Sequence, residues 1–132
     1  MIVRKLTSDN RASTTVDFAF AVPVILAIML GTIQMGQYLH ASGAMRHALG
    51  EGVRLAKVDP DASTNRIERE IRDELVAIDK DNIVLLNVTR STASNGAKIA
   101  TAKIKYKLTP MIPLIPVPAI TISEEKTVWL PV

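Results

Sequence analysis

The side chains in this sequence that could do chemistry are few, and their spacing does not favour catalysis. His40 and His47 lie seven apart and can share a helix face, but two imidazoles without a spaced third ligand do not make a zinc site. The chain has no cysteine, which removes thiolate nucleophiles, thiolate metal ligands and disulfides together. It contains no phosphate-binding glycine loop and no Gly-x-Ser-x-Gly elbow. Acidic neighbours such as Glu124 and Glu125 read as exposed charges. The sequence therefore predicts neither an enzyme nor a protein that holds a metal or cofactor. One titratable residue stands out by its place: Asp17 opens a stretch, residues 18–45, without a single Lys, Arg, Asp or Glu. A carboxylate beside hydrocarbon is costly, so it is expected to have a partner or a task there. An acid favoured by the positive end of a helix is the plainer account of the same residue.

The element that positions Asp17 follows from the same stretch. Residues 18–39 are mostly Ala, Val, Ile, Leu, Met and Gly. At about 1.5 Å of rise per residue, roughly 20 such residues cross the hydrocarbon of a bilayer. Arg4, Lys5 and Arg11 precede the run and the neutral HASGAM follows it. The positive-inside rule then keeps the amino end cytoplasmic and exports the rest. A cleaved secretory signal peptide is the alternative, but its apolar region is usually about 7–15 residues. Pro23 falls inside the run and is expected to bend the helix near its start. Further on, Ala44, Ala48, Gly52 and Ala56 recur every four residues, and Gly36, Gly43 and Gly50 every seven. Small residues at these spacings let helix backbones approach closely, against other helices or against the exported domain.

The segment RASTTVDFAFAVPVIL resembles the processing region of TadE-like pseudopilins of the Tad (Flp, type IVc) pilus machinery. In that family a basic leader ends in Gly, four small residues follow, and Glu-Phe opens the hydrophobic helix. Here Ala12 stands at the Gly place, Ser13-Thr14-Thr15-Val16 follow, and Asp17-Phe18 stands at the Glu-Phe place. Two further stretches resemble the family: GTIQMGQYLHASGAMRHALGEGVRLA, which ends in Gly52-Val53-Arg54-Leu55-Ala56, and YKLTPMIPLIPVPAITIS. The resemblance implies that a prepilin peptidase cuts between Ala12 and Ser13. It also implies that Asp17 stays with the mature helix and pairs with the new amino group of a neighbouring subunit. Pairing the two charges offsets much of what each costs in low dielectric.

Beyond the long helix, Asp59-Pro60 interrupts the pattern and is expected to cap a second helix over about Pro60 to Ile78. Ile67, Ile71, Leu75 and Ile78 fall on one face of it, with Arg66/Glu70, Glu68/Arg72 and Arg69/Asp73 four apart on the others. After Asp81 the period becomes two. IVLLNVTR reads as a buried strand, SNG as a turn, and KIATAKIKYKL alternates Ala100, Ala102, Ile104, Tyr106 and Leu108 with Thr101, Lys103, Lys105 and Lys107. ITISEEKTVWL supplies a third strand, so the second helix can cover a small antiparallel sheet. The lysine row lacks interleaved aromatics and the net charge is only +3 at pH 7, so no nucleic-acid partner is expected. TPMIPLIPVP, residues 109–118, holds four prolines among large apolar residues. An apolar loop of this kind needs a cover: the domain's own core, a membrane or another subunit.

The expected organisation is a basic leader at 1–12, a long helix at 13–58 that spans the membrane over about 18–39, and an exported α+β domain at 59–132. The expected function is that of a minor pilin or pseudopilin that initiates or supports assembly of a Tad-type adhesive pilus. Its implied partners are the prepilin peptidase, other pilins or pseudopilins, the inner-membrane assembly platform and membrane lipid. The competing expectation is an unprocessed, signal-anchored periplasmic binding or adaptor protein.

Overall fold

The structure is a computed structural model that describes residues 10–110 and 117–131. The chain divides into two compact units, Met1–Met35 and Gly36–Val132, and helix α1 (Asn10–Val58) contributes residues to both. Most of the apolar loop at 109–118 lies outside the described residues.

Within the first unit α1 continues past Pro23. Its large side chains stand outward: Phe18, Phe20, Val24, Ile25, Leu26, Ile28, Met29, Ile33 and Met35 are each more than half exposed. This stretch is long and apolar enough to cross a bilayer. It is the apolar surface of a single-pass, membrane-anchored chain.

The second unit is α+β. It holds residues 36–58 of α1, helix α2 (Thr64–Glu74), a 3-10 turn (Lys80–Asn82), and strands β1 (Ile83–Thr92), β2 (Lys98–Leu108) and β3 (Ile120–Trp129). The strands form one antiparallel sheet in the order β1-β2-β3. Period two dictates which face is covered. On β2, Ala100, Ala102, Ile104 and Tyr106 are buried, and the residues between them are half-exposed. Met45, Leu49, Ile67, Ile71, Leu75 and Ile104 are the largest fully buried side chains, and each contributes about 1.5–3 kcal/mol by leaving water. On the other face, Lys103 Nζ lies 3.0 Å from Glu125 Oε2 and the hydroxyls of Thr101 and Thr127 are 3.0 Å apart.

The hairpin between β1 and β2 closes where the sequence predicts. Gly96 has φ +81°, a left-handed conformation that glycine adopts without a Cβ penalty. The Gly96 N–H donates to Ala93 O at 2.9 Å, and the Ala97 N–H donates to Asn95 Oδ1 at 3.1 Å.

Two expectations need correction. Helix α2 is shorter than the predicted Pro60–Ile78, because Arg90 claims the carbonyls before it. Arg90 Nη1 donates to Pro60 O and Nη2 to Ala62 O, both at 2.6 Å. Ser63 then caps the helix by accepting from the Arg66 N–H. At the other end Leu75 leaves the helical region with ψ 58°. Strand β1 is not a buried strand but an edge strand in which Val88 alone is buried. That edge is tended by α2: Glu68 Oε1 accepts from the Val88 N–H at 3.0 Å. A side-chain acceptor on an edge amide removes one site for pairing with another chain.

Candidate functional site

The predicted cut site, Ala12-Ser13, falls within the first turn of α1, which starts at Asn10 rather than near Ser13. Asp17 and Phe18 follow on the same helix, and both are exposed. A helical spacing of five residues from Ser13 to Asp17 inclusive keeps the acid one turn from the implied new amino terminus.

The small residues of α1 separate by face. Ala48 and Ala56 are fully buried and Gly52 is buried with them. A Cβ on Gly52 would run into Ile71 Cγ1 and lie 2.6 Å from Ile71 Cδ1. Gly52 therefore leaves room for the Ile71 side chain of α2 against α1. Ala100 and Ala102, small residues on the central strand, are also buried. Ala44 and Gly50 are half-buried, and a Cβ on Gly50 would meet Lys126 Nζ at 3.4 Å. Gly36 and Gly43, by contrast, are exposed with open space where a Cβ would stand. Within Gly52-Val53-Arg54-Leu55-Ala56, Gly52 and Ala56 serve the unit's own core. Arg54 points outward and its Nη1 donates to Glu51 Oε2 at 2.7 Å.

A polar contact that the sequence reading missed holds β3 to α1. Ser42, buried to 5% exposure, donates from Oγ to Glu124 Oε1 at 2.5 Å, and Arg46 Nε donates to Glu124 Oε2 at 3.0 Å. Glu124 is not an exposed charge; its side chain is 14% exposed. The hydrogen bond from Arg46 holds its carboxyl below the usual range, against the opposing effect of burial, and the Ser42 hydroxyl adds to the lowering. The signal was available: Glu124 shares the period-two register of Ile122 and Val128, both buried.

The two histidines are not brought together as ligands. His40 Nε2 lies 3.0 Å from Ala77 O, and His47 Nε2 lies 3.8 Å from Glu74 Oε2. His47 meets the side chain of the last residue of α2, and His40 meets the backbone of the bend that follows it. Among the described residues there is no cluster of three His, Cys, Asp or Glu that could hold a metal ion.

What singles out the amino-terminal part is its length of continuous helix joined to a small-residue motif, and residues 12–54 match the family model of TadE-like proteins. The long helix is TadE-like. The match starts at Ala12, takes in Asp17-Phe18 and the exposed apolar stretch, and ends at Arg54. It does not extend to the sheet or to the apolar loop at 109–118. No curated protein and no solved structure gives a significant match to the chain.

Proposed function

We propose that this chain is a minor pilin or pseudopilin that initiates or supports assembly of a Tad-type pilus. In this reading it is a substrate of a prepilin peptidase and not itself an enzyme. The observation that carries the reading is the TadE-like match over 12–54, which joins Asp17-Phe18 to a helix whose described apolar side chains are exposed. Such a helix is suited first to lipid and then, after extraction, to the helices of sister subunits. Cleavage between Ala12 and Ser13 would remove the basic leader and free an ammonium one turn from Asp17. The partners are then the peptidase, other pilins or pseudopilins and the inner-membrane assembly platform. The amino end is cytoplasmic and the sheet-bearing unit exported.

The deciding experiment is the amino terminus of the membrane-extracted protein, read by intact mass from cells with and without the peptidase. The expected result is a chain that starts at Ser13 only when the peptidase is present. An uncut chain in both cells would instead make the helix a plain anchor for an exported adaptor.

A further inference from the structure

Within the second unit, one end gathers exposed apolar side chains from three separate segments. Val76, in the bend after α2, is 82% exposed; Val84 on β1 is 60% exposed; Ile120, at the start of β3, is 50% exposed. Pairing places the strands' contributions together: Ile83 faces Tyr106, and Leu108 faces Ile120. Between Ile83 and Leu85 the register shifts, and a bulge at that point turns Val84 out of the regular alternation. The bend after α2 reaches the same end through Ala77, whose carbonyl lies 3.0 Å from His40 Nε2.

The direction of α1 in this unit identifies which end this is. Ser42 and Arg46 meet Glu124, the position of Gly50 lies against Lys126, and the chain runs back from Ile71 of α2, beside Gly52, to Ala77 in the following bend, beside His40. Moving toward lower numbers on α1 therefore moves toward Ile120, Val84 and Val76. This is the end at which the chain leaves the unit, at Gly36, into the apolar run. Tyr38, 39% exposed, stands at that exit, and tyrosine favours the boundary between lipid and water.

We propose that this end of the unit is a membrane-contact surface, with Val76, Val84 and Ile120 seated in the headgroup and upper acyl region of the bilayer that the helix crosses. The occupant is lipid because the chain itself delivers this end to a bilayer surface. Apolar side chains placed about 5–10 Å into that boundary leave water without a protein partner. The charges there are mixed: Lys80 and Lys107 are exposed beside Asp79 and Asp81, and Asp79 is occupied in its own turn with the Asp81 N–H and the Asn82 amide. Contact therefore rests on apolar burial and needs no anionic lipid. It fixes how the unit stands on the membrane before any extraction into a filament.

The inference rests on the helix spanning the bilayer, and one experiment separates the two. Trp129 is the sole tryptophan of the chain. It lies at the far end of β3 from Ile120, about 30 Å away at about 3.3 Å per residue. The full chain is reconstituted alone in phosphatidylcholine vesicles containing brominated acyl chains, as the natural sequence and as Trp129→Phe combined with Val84→Trp or with Val58→Trp. Val58, 75% exposed, lies at the carboxyl-terminal end of α1 and controls for the substitution. All chains should float with the vesicles after an alkaline wash. The Val84→Trp chain should be quenched by bromolipid several-fold more strongly than the natural chain or the Val58→Trp chain. Flotation with equal, weak quenching at all three positions overturns the contact surface alone. A blue-shifted but unquenched emission from the Val84→Trp chain also overturns it, because another protein copy then covers the patch. Failure to float overturns the spanning helix and the contact surface together.

Discussion

At the scale of single residues, the glycines of α1 look equivalent in the sequence and are not. A glycine inside a helix costs about 0.5–1 kcal/mol relative to alanine, so each needs a reason. Gly52 has one, since the space for its Cβ is filled by Ile71, which is fully buried and has nowhere to swing. Gly43 has none among the described residues, with nothing within 4 Å of its Cβ position. Gly52→Ala should therefore lower stability by about 1–2 kcal/mol, overpacking of about 1–3 kcal/mol outweighing the gain in helix propensity. Gly43→Ala should raise it by a few tenths to about 1 kcal/mol. Thermal unfolding of the second unit's circular dichroism, in detergent, measures both. A stabilised Gly52→Ala chain would mean that α2 docks on α1 more loosely than the structure shows. The spacing by four was legible in the sequence; which side each small residue faced was not, because that depends on where α2 lands.

At the scale of elements, the strongest local patterns were the readable ones. The alternation on β2 and the Asn95-Gly96 turn came through because each rests on neighbours in sequence. The ends of α2 and the role of β1 did not, because they are decided across the fold by Arg90, Glu68 and the order of the strands. The clasp between β3 and α1 is of the same long-range kind. A carboxylate accepting two hydrogen bonds, one from an arginine, ties β3 to α1, but Arg46 is exposed and solvent screens its share. Glu124→Ala should cost about 1–3 kcal/mol, since it also strands the buried Ser42 hydroxyl. The pH dependence has a definite sign. The folded carboxyl of Glu124 is held below the free glutamate value of about 4.3. Its contribution is full above that value and is lost as pH falls through the lower folded one. The stability gap between the natural chain and Glu124→Gln should be constant near neutrality and close in acid. Denaturant titrations at neutral and acid pH read it, and a gap that widens in acid would exclude the charged clasp.

At the scale of the whole molecule, the chain combines one unit that has a core with one that has none. The second unit buries a core and leaves a few apolar side chains such as Val76, Val84 and Ile120 outside it; the first exposes nearly all of its described ones. Only surroundings can satisfy the first unit, and lipid and a bundle of sister helices are the two that fit an apolar helix. They make opposite demands on Asp17. Lipid penalises the carboxylate, whereas a bundle rewards it if an ammonium from a neighbour is within reach. Asp17→Asn discriminates between these demands because it keeps the shape and removes the charge. A neutral amide is no harder to place beside hydrocarbon, so the variant should float with membranes as the natural chain does. Asp17 is no part of the second unit, so the melting of that unit should be unchanged. Under the proposed function assembly should weaken, because a neighbour's ammonium left without its acid in a low-dielectric bundle would cost about 3–5 kcal/mol. Asp17→Glu should assemble, as it restores the charge with one more methylene of reach. Surface pilus counted by shearing and immunoblot in cells carrying each variant measures the outcome. Equal piliation with Asp17→Asn would leave the acid with no part in assembly and return it to the plainer role of a charge at the start of a helix.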